Sequence, residues 1–190
     1  MPTILIDLDY TLLDTQAFST ALGTSLGLSH TEWVQVYNQF VKDNGLFSAR
    51  DFLRGVESDK SKQFYQVVKQ IRRYLYSDTV EFLKQVEQKK YTCVLMTVGE
   101  DSWQKDKLTN LRLPAFIQTS IIQDRKANHL ADYYEPGMLI VDDRAIELEP
   151  IAAQFPETHC YWITRSGGKY LAPAPQCAHT IIKSLNEIKL

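Results

Sequence analysis

The chain has 190 residues, 44% hydrophobic and 23% charged, with a net charge of -2; it is long enough for one well-buried domain, or one domain with an insertion, and has no basic field to attract nucleic acid. No apolar run approaches the roughly 20 residues of a membrane helix, and the N-terminus enters a strand-like run with no basic-then-apolar leader. Cys93, Cys160 and Cys177 are odd in number, widely spaced and without a CxxC pair, so a cytoplasmic chain is expected, with no membrane or nucleic-acid partner and with monomer and homodimer both open.

In chain order, Thr3-Ile4-Leu5-Ile6 is a short uninterrupted apolar run, as in a central strand buried on both faces. It ends in two carboxylates one residue apart, Asp7 and Asp9, followed by Thr11. Both can approach one pocket at the carboxyl end of a strand, where open α/β sheets place their ligands. Two buried carboxylates so close repel each other, and a hard dication such as Mg2+ is the simplest remedy. A solvated turn is the alternative, since Asp favours turns. Residues 16–76 then read as helices: 16–26, with Phe18, Leu22 and Leu26 inward and Gly27 as the stop; 31–41, with Trp33, Val36, Tyr37, Phe40 and Val41 on one face; a turn at Asn44-Gly45; a short helix over 49–56; and a longer one over 60–74. No strand is expected there, so the segment is an insertion.

From Ser77 the plan alternates. Helices are expected over 78–88, with Ser77 or Asp78 as N-cap, and over 101–111, 126–131 and 146–154. Strands are expected over 91–98, 116–122, 137–141 and 159–163, and residues 179–190 hold a short strand or helix. Strands alternating with helices imply parallel pairing with right-handed crossovers. Three strong strands therefore bring polar ends to one edge: Asp7/Asp9, Thr97 and Asp142/Asp143, with Lys126 close enough in sequence to reach them. Singly, Thr97 is a turn residue, Lys126 a surface lysine with Arg125 as a rival, and Asp142-Asp143 a helix cap. Together, acids, a hydroxyl and a lysine suit a phosphoryl group, which needs positioning and charge neutralisation.

The sequence resembles the haloacid dehalogenase-like hydrolase superfamily, in its phosphatase branch with a small helical cap. Asp7-Leu8-Asp9-Tyr10-Thr11 matches its DxDxT motif, and Val94-Leu95-Met96-Thr97-Val98-Gly99 its apolar strand ending in Thr or Ser. Lys126 matches its lysine, and Leu139-Ile140-Val141-Asp142-Asp143 its acidic strand end, all in the family's order. The resemblance implies an α/β fold: a Rossmann-like three-layer parallel-sheet core over residues 1–14 and 77–190, with an inserted all-helical cap over 15–76. It implies Asp7 as nucleophile, Asp9 as general acid then base, and Thr97 with the Val98 and Gly99 amides on the phosphoryl oxygens. Lys126 would neutralise charge, and Mg2+ would be held by Asp7, the Asp9 carbonyl and Asp143, with Asp142 behind or acting through a water. Four carboxylates and a phosphate dianion sum to about -6 against one lysine, which calls for a dication. The expected substrate is a small phosphorylated metabolite. Tyr10 stands where the family often has a small residue and would contact the substrate or pack under the cap. Phe47, Ser48, Arg50 and Arg54 are the cap candidates; Arg50 and Arg54 would share a helix face, for a second anionic group or for solvent. A catalytically silent phosphate-binding or scaffold protein is the alternative. A dehalogenase is the lesser one, because Asp9, which dehalogenases lack, is present.

Overall fold

The computed structural model describes residues 2–190. Six strands among them, β1 (Thr3–Ile6), β2 (Thr92–Val98), β3 (Ile117–Ile122), β4 (Leu139–Asp142), β5 (His159–Ile163) and β6 (Thr180–Ile182), pair in parallel in the order β3-β2-β1-β4-β5-β6. This is the expected Rossmann-like α/β sheet with helices in its crossovers. Every residue of β1 is buried, as a short apolar run needs when it is covered on both faces. Ile6 pairs with Leu95 on one side and Val141 on the other, so the motif-bearing strands are adjacent. The last strand explains the ambiguous C-terminus: residues 179–190 hold both β6 and a 3-10 turn at Leu185–Glu187.

The helices are α1 (Thr15–Ser25), α2 (His30–Asn44), α3 (Ala49–Phe52), α4 (Ser58–Lys69), α5 (Thr79–Gln88), α6 (Asp101–Leu111) and α7 (Ala145–Gln154), with further 3-10 turns at Ile71–Tyr74 and Lys126–Asp132. By internal packing the described chain forms two units. One holds the sheet: residues through Asp14, Leu75–Val98 and Pro114–Leu190. The other holds Thr15–Tyr74 and Gly99–Leu113, so α6 packs with the inserted helices, whereas residues 99–113 were expected with the sheet.

Within the sheet unit, Leu5, Met96, Ile140, Leu148, Ile151 and Trp162 belong to one buried cluster. Burial of such side chains contributes roughly 1.5–3 kcal/mol each before entropy is counted. Cys93 and Cys160 are buried thiols, free of any disulfide, and burial pushes them up to about 12 and about 11 respectively.

Within the helical unit, α2 starts at a capping box. The Ser29 hydroxyl accepts from the Glu32 amide at 3.3 Å and the Glu32 carboxylate accepts from the Ser29 amide at 2.8 Å. Gly45, at φ 84°, closes the other end through its amide to the Val41 carbonyl. Trp33 is only 1% exposed and meets Phe47, Phe52 and Phe64; Tyr37 and Phe40, half-buried, pack against Phe47. Val36, expected on the same face, is 41% exposed. Gly23 lets α1 and α2 approach, since a Cβ there would lie 2.5 Å from the Trp33 Cβ. The expected helix over 49–56 is only one turn: Leu53 ends it and Gly55 takes φ 84°. Arg54 therefore lies beyond the helix and does not share its face with Arg50.

Candidate active site

The sheet register delivers the first acid. Just past β1, the Asp7 amide donates to the Val141 carbonyl at 2.9 Å, extending the β1–β4 ladder by one step. The chain then folds into a tight turn. The Thr11, Leu12 and Leu13 amides all donate to the Leu8 carbonyl, at 3.3, 3.0 and 3.0 Å, and the Tyr10 amide donates to Leu13 at 2.9 Å. Tyr10 takes φ 58°, a left-handed conformation that small residues adopt more readily. Leu8, Leu12 and Leu13 are fully buried and anchor the turn. Asp9 lies partly exposed at its crest.

Lys126 opens the 3-10 turn after β3 and is 1% exposed. Its Nζ lies 2.5 Å from Asp7 Oδ1 and 2.5 Å from Asp142 Oδ2. Lys126 is thus not the surface lysine that it suggests when taken singly. Asp142 ends β4, fully buried, and its other oxygen accepts from the Arg144 amide at 2.9 Å. Glu147, 2% exposed on α7, accepts the Lys126 amide at 3.0 Å and pairs with Arg125 at 3.1 Å. Arg125 has a further task. Pro150 has no N–H to give the Ile146 carbonyl four residues back in α7, and Arg125 Nη1 donates there at 3.4 Å. Arg125 is therefore not a rival for the lysine's role but a support beside it.

Charge is crowded at this edge. Burial pushes the Asp7 carboxyl up to about 7; the Lys126 ammonium pulls against that, while Asp142 and Asp9 add to it. Burial pushes Asp143 up to about 9, with Asp7 and Asp142 adding to it. Burial opposes the charge on Lys126, but Asp142 and Asp7 outweigh it and hold the ammonium above its ordinary range. The Asp143 carbonyl accepts from the Trp162 indole at 2.9 Å, while its buried Oδ2 has no hydrogen-bond partner.

The structure brings together Asp7, Lys126 and Asp142 by direct contact, with Asp143 next in chain. Thr97 lies 1% exposed in β2, registered with Ile121 of β3. Tyr10 packs edge-on to Tyr170 at 6.1 Å, and burial, with Asp9 next, raises its phenol to about 12. Val98 ends β2, and Gly99 begins the part of the chain that packs with the helical unit. There Glu100 caps α6, accepting from the Ser102 amide at 3.1 Å and the Trp103 amide at 2.7 Å, so those two donors are taken. Arg50 is exposed in the helical unit, and Arg54 pairs with Asp51 at 2.8 Å. Among the described residues, no three acid, histidine or cysteine side chains stand grouped to hold a metal. The donor chemistry nevertheless suits a hard cation: at this edge the buried carboxylates Asp7, Asp142 and Asp143 outnumber the Lys126 ammonium, and Asp143 Oδ2 is an orphan acceptor. Arg165 and Asp78, 5% and 8% exposed, were not foreseen from sequence as a pair; they form a bidentate contact at 2.6 and 2.9 Å. No periodic signal links residues so far apart.

The parallel α/β sheet thus brings an acid, a lysine and a second acid together at its carboxyl edge. No protein-family profile and no curated protein matches this chain by sequence. Among solved structures, it is similar to a Burkholderia xenovorans protein assigned as a haloacid dehalogenase-like hydrolase, at 13% identity and TM-score 0.74, over 98% of this chain and 95% of that one. It is similar as well to a magnesium-bound protein of Bacillus subtilis assigned as a hydrolase of the same kind, at 17% identity and TM-score 0.66, over 98% and 96%. An L-2-haloacid dehalogenase is similar at 15% identity and TM-score 0.66, over 98% and 97%. The chain has the haloacid dehalogenase-like hydrolase fold. That fold alone does not divide carbon–halogen from phosphate-ester chemistry.

Proposed function

We propose that this chain is a Mg2+-dependent phosphomonoester hydrolase acting on a small phosphorylated metabolite through an aspartyl-phosphate. The observation that carries the reading is the buried Lys126 ammonium held 2.5 Å from both Asp7 and Asp142. Asp7 attacks phosphorus; the P–O bond to the leaving group breaks and a bond to Asp7 Oδ forms. Asp9, partly exposed on the turn, gives its proton to the leaving oxygen, then takes one from the water that hydrolyses the acyl-phosphate. Lys126 offsets charge on the transferring group and fixes the Asp7 rotamer. Glu147 and Arg125 hold the lysine's backbone in place. The Thr97 hydroxyl and the Val98 and Gly99 amides would meet phosphoryl oxygens. Mg2+ would be held by Asp7, the Asp9 carbonyl and Asp143, with Asp142 behind them, and would supply positive charge opposite the developing negative charge.

Asp9 supports phosphate-ester over carbon–halogen chemistry, because a dehalogenation needs no proton donor for an ester oxygen. Tyr10 is a proposed substrate contact. The test is hydrolysis of p-nitrophenyl phosphate, then of a panel of phosphorylated metabolites, with Mg2+ and with EDTA. Turnover that EDTA abolishes supports the reading. Halide release from 2-haloacids without phosphatase activity overturns it. Metal-dependent phosphate binding without turnover overturns it in favour of a silent binding protein.

A further inference from the structure

Arg165 follows β5 in a loop no motif claims, yet it is one of the most fully engaged side chains of the sheet unit. Its Nε and Nη2 donate to the Thr11 carbonyl at 3.2 and 2.8 Å. Its Nη1 and Nη2 clasp the Asp78 carboxylate at 2.6 and 2.9 Å, and Nη1 reaches the Lys183 carbonyl at 3.4 Å. The guanidinium lies 4.1 Å from the Tyr76 ring centroid. Asp78 is fixed in turn by the Ser184 hydroxyl at 2.7 Å and the Leu185 amide at 2.9 Å. Lysine could not replace this geometry, since one ammonium cannot present a planar fork and a third in-plane donor together.

Thr11 is the far end of the turn that begins at Asp7. That turn is closed on itself by the amides that converge on the Leu8 carbonyl, so its two ends are tied to each other. Its near end is held by the Asp7 amide on Val141. Its far end is held at two consecutive carbonyls: Thr11 by Arg165, and Leu12 by the Tyr76 amide at 3.0 Å and the Thr79 hydroxyl at 2.9 Å. Thr11 is fully buried, so its carbonyl has no water to turn to if the guanidinium is lost.

We propose that Arg165 is a positioning residue that, braced by Asp78, fixes the Asp7–Asp9 turn through the Thr11 carbonyl and so sets the aim of the nucleophile and the acid. The role rests on the phosphohydrolase reading for its catalytic consequence, but not for its structural one. A misplacement of about 1 Å at a reacting group costs up to roughly a hundredfold in rate.

The test compares wild type with Arg165→Met and Arg165→Lys. Hydrogen exchange resolved to residues 8–13 reads the turn, with the β1 and β4 amides as internal reference. Steady-state p-nitrophenyl phosphate hydrolysis reads its consequence. The expected result is faster exchange in residues 8–13 with β1 and β4 unchanged, a kcat lower by roughly tenfold or more, an unchanged KM, and a smaller defect in the lysine variant. Unchanged exchange in residues 8–13 overturns the proposal, as does a kcat equal to wild type. If Arg165→Met loses protection throughout, the lysine variant, which keeps a cation facing Asp78, decides by the same criteria. If wild type shows no phosphatase activity, the function proposed above fails, while local exchange in residues 8–13 still decides whether Arg165 positions the turn.

Discussion

Replacing Lys126 with Met removes the one buried cation between Asp7 and Asp142 while keeping most of the side-chain volume. All three groups lie almost wholly out of water, at 1%, 6% and 0% exposure. Removing one partner of a buried ion pair costs roughly 3–5 kcal/mol, because the other charge is left uncompensated. A stranded Asp7 can escape by taking up a proton. For Asp7, already raised to about 7 with the lysine present, the variant's value is higher still, since the group that pulls it down is gone. A carboxylate whose folded pKa exceeds its unfolded value loses stability as pH rises through the interval between them. Wild type has completed that loss by about pH 7, whereas the variant goes on losing about 1.4 kcal/mol per pH unit above it. The defect therefore sits near about 3 kcal/mol at about pH 6 and moves towards about 5 at about pH 8. With about 2–4 °C per kcal/mol for a chain of this size, the Tm falls by roughly 6–20 °C. Circular-dichroism melts in EDTA at the two pH values measure it. A shift below about 3 °C at both, or a larger shift on the acid side, refutes the argument that Lys126 compensates buried charge.

Two other changes probe the packing and the brace. Gly23→Ala would place a Cβ 2.5 Å from the Trp33 Cβ and 2.7 Å from its Cγ; overpacking of about 1–3 kcal/mol outweighs the gain of up to about 1 kcal/mol in helix propensity, so urea denaturation should show a net loss. A more stable variant would contradict the close approach of α1 and α2. For Asp78, burial works against ionisation, but hydrogen bonds from Arg165, Ser184 and the Leu185 amide prevail and hold the carboxyl below its usual range. Its contribution is thus present above the unfolded value of about 3.9 and is lost as pH falls through the lower folded one. Asp78→Asn should be less stable than wild type near about pH 7, with the gap shrinking below about pH 4; a gap that does not change with pH would count against this linkage.

Local chemistry was largely legible in the sequence. The run Thr3–Ile6 is apolar and too short for a helix, so a buried strand was the only economical reading, and the acids at its end followed. Asn44-Gly45 marked the end of α2 through turn chemistry that acts within a few residues, whereas the Ser29–Glu32 capping box at its start is a finding of the structure. What the sequence concealed depends on distant partners. Arg165 meets Thr11 across 154 positions, and nothing near Arg165 announces it. Ser77 or Asp78 was expected to cap α5; Asp78 stands at that position but makes no side-chain cap hydrogen bond, because Arg165 and Ser184 claim its oxygens. The helical period placed Val36 inward, yet the buried stripe on α2 is narrower than the apolar one. Lys126 alone resembles any surface lysine, and only the convergence of β1 and β4 makes it a buried counter-ion.

The central claim is that Asp7 carries the phosphoryl group. The direct measurement is peptide mass spectrometry after acid quench of the enzyme during turnover of p-nitrophenyl phosphate with Mg2+. The account predicts one phosphoryl group on the peptide that contains Asp7 in wild type, and neither label nor turnover in Asp7→Asn. Sustained hydrolysis by Asp7→Asn, or turnover by wild type with no phosphoryl group on that peptide, would contradict it.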